Sequence, residues 1–193
     1  MSSIYSSSYL KDLAKSKNLN ESQRMFSAKN ESHTSFDIFL SHSFLDKDEV
    51  EGLYIELTRM GFKVYVDWVI DPYLDRNNVI KTTATLIRNR LKSSKTLLLA
   101  ISVNASVSKW MPWELGYVDG YTNKCAIIPV SRENLPASSY KGSEYLSLYP
   151  FIKKVRDTNN KERLWVIEES NKYVLFDSWL VGSQPINQNV PIF

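Results

Sequence analysis

The chain has 193 residues, 43% hydrophobic and 12% aromatic, enough for one well-packed domain with an appendage and too little for two ordinary ones. Lys and Arg number 24 against 21 Asp and Glu, a formal charge of +3, and the basic residues are scattered, so neither a nucleic-acid nor a membrane footprint is expected. A single cysteine, Cys125, excludes an internal disulfide; with only two histidines, His33 and His42, no metal site is expected, and a cytoplasmic address fits best.

The opening residues lack the charged-then-apolar order of a signal peptide. The longest apolar run, Leu97 to Ile101, is far below the ~20 residues of a membrane span. Residues 1–34 are rich in Ser, Asn and Lys, with Tyr9, Leu10, Leu13, Ala14, Met25 and Phe26 as the main apolar points. They are set apart as an N-terminal arm or helical extension, and the stretch 28–35, without apolar periodicity, links it to the main domain.

From Phe36 the texture changes. Phe36 to Leu40 is a short apolar run opening into Ser41-His42-Ser43, as a buried strand opens into a loop. Asp46-Lys-Asp-Glu then supplies a cap and acids for a helix start. Val50, Leu53, Tyr54 and Leu57 recur at helical spacing, and Gly61 stands where a C-terminal cap belongs. Phe62 to Asp67 alternates like a second strand. The stretch 68–78, with Pro72 and several Asp and Asn, reads as a loop before a helix over Val79 to Leu91.

Thr96 to Ile101 predicts a third buried strand, and Ala126 to Val130 a fourth. Between them a helix starts near Trp110, with Pro112 tolerated because it falls in the first turn. Beyond Ser131, Leu164-Trp-Val-Ile-Glu and Tyr173-Val-Leu-Phe suggest added strands and Asp177-Ser-Trp-Leu a short closing helix. The order β-α-β-α-β-α-β with strands apolar throughout indicates an α/β fold: a parallel sheet with helices on both faces and ligands at the carboxyl ends of its strands.

That edge carries the most informative spacing in the chain. Glu114 follows Trp110 by four residues, which puts an indole and a carboxylate one above the other on a helix face. A flat ring beside an acid suits a nucleotide. The alternative is that Trp110 and Trp113 are core aromatics and Glu114 is a solvated acid of the first turn. Gly-x-Gly-x-x-Gly, Gly-Lys-Ser/Thr and Gly-x-Ser-x-Gly are all missing from the loops that would carry them, which argues against classical dehydrogenase, NTPase and hydrolase chemistry. A phospho-accepting receiver would need an aspartate where the third strand ends in Ala100-Ile-Ser-Val.

Three segments together resemble a Toll/interleukin-1 receptor (TIR) domain of the bacterial stand-alone type: Phe-Asp-Ile-Phe-Leu-Ser-His-Ser at 36–43, Gly-Phe-Lys-Val-Tyr-Val-Asp at 61–67 and Ser108-x-Trp110-x-x-x-Glu114. The match is strongest over Phe36 to Val130, and Tyr145 to Phe151 with Leu164-Trp-Val166 is similar to the tail of bacterial members. The resemblance implies a flavodoxin-like domain over 35–180, followed by a tail at 181–193. Catalytic members cleave the nicotinamide–ribose bond of NAD+, which enters as substrate with no further cofactor. It would make Glu114 the essential glutamate and Trp110 the aromatic beside the substrate.

Ser41, His42 and Ser43 are candidates for contacts with phosphate or ribose, and Phe44 for covering a ring. Such residues after a strand also serve as ordinary loop chemistry. Arg76 could hold a pyrophosphate oxygen, or be a surface arginine bound to Asp71 or Asp75. Asp67 and Trp68 would line the pocket or serve the fold. Stand-alone bacterial members commonly make an ADP-ribose-derived signal in antiviral immunity, read by a separate effector protein, and they self-associate through TIR–TIR contacts. Two other readings keep the fold without that chemistry: a non-catalytic interaction module, and an effector that interferes with host TIR signalling.

Overall fold

A computed structural model describes residues 4–16, 35–74, 80–132, 144–157 and 159–192. In chain order its elements are β1 (Tyr5–Ser6), α1 (Ser7–Ser16), β2 (Phe36–Ser41), α2 (Lys47–Arg59), β3 (Val64–Tyr65), α3 (Asp67–Ile70), α4 (Lys81–Lys92) and β4 (Ser94–Ile101). There follow α5 (Trp110–Thr122), β5 (Cys125–Ser131), β6 (Phe151–Arg156), β7 (Glu162–Glu169), β8 (Lys172–Leu175), α6 (Phe176–Leu180) and β9 (Ile186–Asn187).

The sheet runs β3-β2-β4-β5-β6-β7-β8-β9. The first five of these strands are parallel, and β7 to β9 extend the sheet in antiparallel fashion. Strands covered on both faces need apolar residues at every position, which explains their continuous hydrophobic runs. Ile38, Leu40, Leu98, Ala100, Ala126 and Ile128 pack with α1, α2 and α6; Phe39, Leu97, Leu99 and Cys125 pack with α4 and α5. From β2 the chain goes out through α2 to β3 and returns through α4 to β4 on the other side. A crevice therefore opens between the carboxyl ends of β2 and β4.

Gly61, with φ at +98°, ends α2: its N–H and that of Phe62 return to the carbonyls of Thr58 and Leu57 at 3.0 and 3.2 Å. Within the N-terminal stretch set apart by composition, β1 pairs with Val130 and Ser131 of β5 and α1 lies on α2. Polar bonds fasten it there. Ser7 Oγ donates to Glu49 Oε1 at 2.6 Å, Lys11 Nζ stands 3.1 Å from the same oxygen, and Tyr9 donates to Glu56 Oε2 at 3.1 Å. Lys154 of β6 joins Glu56 to Glu162 and lies over the rings of Tyr5 and Tyr9.

Three expectations need correction. The strand read over Phe62 to Asp67 shrinks to Val64–Tyr65, because this edge strand finds ladder partners only at Ile38 and Phe39. Asp67 and Trp68 then belong to the single helical turn α3, in which the Ile70 N–H reaches Val66 O at 2.9 Å. The sheet also gains a fifth parallel strand, β6, whose Lys153-Lys154 pair disguises it in the sequence. The added strands near 164 and 173 and the closing helix at 177 are present as β7, β8 and α6.

The helix α1 approaches α2 at Gly52, where a Cβ would lie 2.8 Å from Leu10 Cα. Gly52→Ala is therefore expected to destabilise the chain by roughly 1–2 kcal/mol despite the better helix propensity of alanine. Urea unfolding checks this, and unchanged or higher stability would refute the backbone approach.

Burial also acts on Lys153, which is 2% exposed and whose amine is lowered to about 8. Because the native amine releases its proton before the unfolded one does, the unfolded chain binds more protons between that value and about 10.4. Stability from this group must rise with pH across that window. Lys153→Met should stabilise the chain at pH 7, and the advantage should shrink by pH 9.5. A gap independent of pH in paired melts would contradict the assignment.

Candidate active site

Ser41 is the last residue of β2 and, two positions after Phe39, faces the same side of the sheet as α4 and α5. Its hydroxyl donates to Glu114 Oε2 at 2.6 Å, the length of a hydroxyl-to-carboxylate bond. Glu114 has no exposed area at all. A buried acid is costly unless hydrogen-bonded, and this bond ties α5 to the end of β2.

The local sequence builds α5 for this purpose. Ser108 Oγ accepts the Met111 N–H at 3.4 Å, and Pro112 sits in the first turn, where no intrahelical donor is required. Asn123, at φ +54°, ends the helix in the left-handed region that asparagine tolerates. Met111, Leu115 and Val118 bury one flank of the helix. On the other, Trp110, Trp113, Tyr117 and Tyr121 form an aromatic row. Trp113 meets Trp110 edge to face at 5.4 Å and stacks on Tyr117 at 6.0 Å, which orients the half-buried Trp110 ring one turn before Glu114.

The loop after β2 is held from inside. His42 Nδ1 lies 2.9 Å from Leu40 O, and its Nε2 lies 3.5 Å from Asp67 Oδ1, with both residues buried. Ser43 Oγ accepts the Leu45 N–H at 3.4 Å and caps a 3₁₀ turn at Phe44–Asp46. Phe44 and Leu45 project outward, 73% and 66% exposed. Trp68 lies under Lys47, whose Nζ is 5.2 Å from the ring centroid; the indole N–H is buried with no hydrogen-bond partner among the described residues. Ser41, Glu114 and Trp110 thus form one group, and His42, Asp67 and Trp68 a supporting one beside it. Arg76 lies outside the described residues. Asp71 is held by Arg90, through bonds of 2.8 and 2.9 Å, and by the Tyr65 hydroxyl.

One residue of the site was hidden in the sequence. Asp46 reads as a helix cap, yet its carboxylate makes no cap bond; it accepts from Ser102 Oγ at 2.5 Å and from Asn104 Nδ2 at 2.7 Å. It therefore ties the loop after β2 to the loop after β4. Both partners stand more than fifty positions away, and no local pattern signals such a bond. Among the described residues no group of three His, Cys, Asp or Glu could hold a metal ion, and no helix is long and apolar enough to cross a membrane. What the arrangement offers chemically is a desolvated carboxylate beside an indole, suited to a cationic centre on a flat or sugar-like group.

The family model described as "TIR domain" matches residues 38–164. The chain is 47% identical over 146 residues to "Probable 3' cyclic ADP-D-ribose synthase ThsB'" of Bacillus cereus (strain MSX-D12), covering 75% of this chain and 75% of that protein. It is 28% identical over 83 residues to "Putative cyclic ADP-D-ribose synthase TIR2" of Cytobacillus dafuensis, covering 42% of this chain and 22% of that protein.

The Ser41–Glu114 bond makes its own prediction. Ser41→Ala should cost about 1–3 kcal/mol of stability by leaving the carboxylate without the hydroxyl. In a Glu114→Gln background the same change should cost measurably less. A double-mutant cycle by denaturant unfolding reads the coupling, and strict additivity would show that the two residues do not support each other.

Proposed function

This chain belongs to the TIR domain family, and on that premise we propose that it is an NAD+-consuming enzyme that cleaves the nicotinamide–ribose bond and converts the ADP-ribosyl part into a cyclic ADP-ribose signal. The observation that carries the reading is Glu114, fully buried, bonded to Ser41 and one helical turn from Trp110 at the crevice between β2 and β4. Support comes from the names of the two relatives, a "Probable 3' cyclic ADP-D-ribose synthase" and a "Putative cyclic ADP-D-ribose synthase".

The chemistry suits the residues. In NAD+ the bond to be broken joins the ribose to a cationic ring nitrogen. The bonding pair leaves with nicotinamide, which departs neutral and needs no general acid. Positive charge then spreads over C1 and the ring oxygen of the ribose, as in glycosyl transfer generally. The Glu114 carboxylate, held by Ser41, stabilises that charge as it develops, and it accepts hydrogen bonds from the 2′- and 3′-hydroxyls; both are interactions strongest in the transition state. Trp110 provides a face for the departing ring. A hydroxyl of the adenosine half then attacks the ribosyl cation to close the cyclic product and passes its proton to Glu114 or water. Attack by water instead gives linear ADP-ribose.

In the described conformation no part of Glu114 reaches the surface, so substrate touches it only after the side chains over it part. Self-association through TIR–TIR contacts supplies that rearrangement in our reading. The free monomer is then the weakly active form, and the product acts in the cytoplasm on a separate effector protein in antiviral defence.

Incubation of concentrated protein with NAD+, with nucleotides resolved by mass spectrometry, tests the proposal. The wild-type chain should release nicotinamide and a cyclic ADP-ribose product. Glu114→Gln should lower the rate by about 100-fold to 1,000-fold while unfolding at a similar denaturant concentration. Specific activity should climb with protein concentration. Equal turnover by wild type and Glu114→Gln would end the proposal, and its absence in both would favour an interaction module.

A further inference from the structure

A cavity of about 330 Å³ lies at the carboxyl end of β4, between the loop that follows this strand, the first turn of α5 and the 3₁₀ turn Glu144–Leu148. We propose that it receives the adenine of the dinucleotide, an inference that rests on the NAD+ reading above. Leu99 and Ile101 form its floor and Met111 and Leu146 its walls, with Ser106 and Tyr145 at the rim. Its volume is at the lower end of the roughly 300–1,000 Å³ of small-ligand sites, room for one ring system and not for a whole dinucleotide.

Two features relate the cavity to the carboxylate. Leu99 is the β4 residue in register with Ser41, whose hydroxyl holds Glu114. Met111 precedes Glu114 by three positions on the same helix, so the wall of the cavity and the carboxylate lie within one turn of each other. The loop that closes the cavity is anchored, because Ser102 and Asn104 both donate to Asp46.

Charge decides which half of the substrate goes where. Among the described residues no charged side chain lines the cavity, whereas the neighbouring group is a carboxylate beside an indole. A cationic nicotinamide ring and its ribose belong with the carboxylate and the indole; a neutral purine, with an apolar face and polar edges, belongs in a cavity that pairs Leu99, Ile101, Met111 and Leu146 with the hydroxyls of Ser102, Ser106 and Tyr145. The assignment also serves ring closure. With the base held in place, the hydroxyls of its own ribose are kept close to the ribosyl cation, and this nearness replaces an encounter with water.

The test separates the cavity from the reaction. Adenosine 5′-monophosphate is titrated calorimetrically into Glu114→Gln, and into the same chain carrying Ser106→Trp, whose exposed parent residue tolerates a large ring. Kinetics with NAD+ and with nicotinamide mononucleotide, which lacks the adenosine half, are measured for Ser106→Trp and for a second filling variant, Ala105→Phe. The proposal expects nucleotide binding to Glu114→Gln and its loss in the filled chain. KM for NAD+ should rise about tenfold, with a shift of product toward linear ADP-ribose, while the constants for nicotinamide mononucleotide stay unchanged. No binding to Glu114→Gln, or binding and KM for NAD+ that neither variant moves, overturns it. Should the wild-type chain consume no NAD+, the NAD+ reading fails and the calorimetry alone decides whether the cavity binds adenine.

Discussion

A carboxylate without solvent has to be held by the protein, and in this chain a serine hydroxyl bonds it directly. Ser41 ends the central strand β2, and Glu114 lies on a helix that begins nearly seventy positions later. Their bond joins the two sides of the point where the sheet changes direction. Around it the fold adds supports that converge on the same edge: Asp46 fastens the loop after β4, the His42–Asp67 contact fastens α3, and the aromatic row on α5 sets the Trp110 ring. The carboxylate is positioned from several elements at once. This is the preorganisation that electrostatic catalysis needs, because dipoles already aimed at the reacting centre require no reorientation during the reaction.

Much of this architecture was legible because buried strands and amphipathic helices have different periods. The runs at 36, 96 and 126 and the helical recurrence of Val50, Leu53, Tyr54 and Leu57 reported the doubly wound core directly. The pairing of Trp110 with Glu114 was legible for the same reason, since four residues make about one turn. Edges were less so. β3 has two residues in its ladder, too few for alternation to mean anything, and β6 contains two lysines that look like solvated surface.

Those lysines show where the pattern fails. Lys153 is buried with its amine 3.5 Å from the Ile192 carbonyl and loses basicity through that burial, whereas Lys154 faces α1 and α2 and satisfies Glu56 and Glu162. Adjacent residues of a strand take opposite faces, so one Lys-Lys dipeptide serves two unlike environments. Asp46 failed as a cap for a related reason: its competing partners, Ser102 and Asn104, come close only after the sheet has formed. Residues whose role depends on tertiary neighbours leave little trace in local sequence, and the supporting shell of the carboxylate consists largely of such residues.

The pairing of β1 with β5 has a consequence for how the molecule comes together. Tyr5 and Ser6 find their strand partners in Val130 and Ser131, although α1 finds its helix partner much sooner, in α2. During synthesis the N-terminal helix can dock on α2 long before the strand that precedes it has an edge to join. The strands β2, β3 and β4 all lie between the two partners in the chain. Contacts of such long separation are the slow ones to form. A fusion partner joined directly ahead of Tyr5 would therefore burden a late step of folding while leaving the finished site untouched.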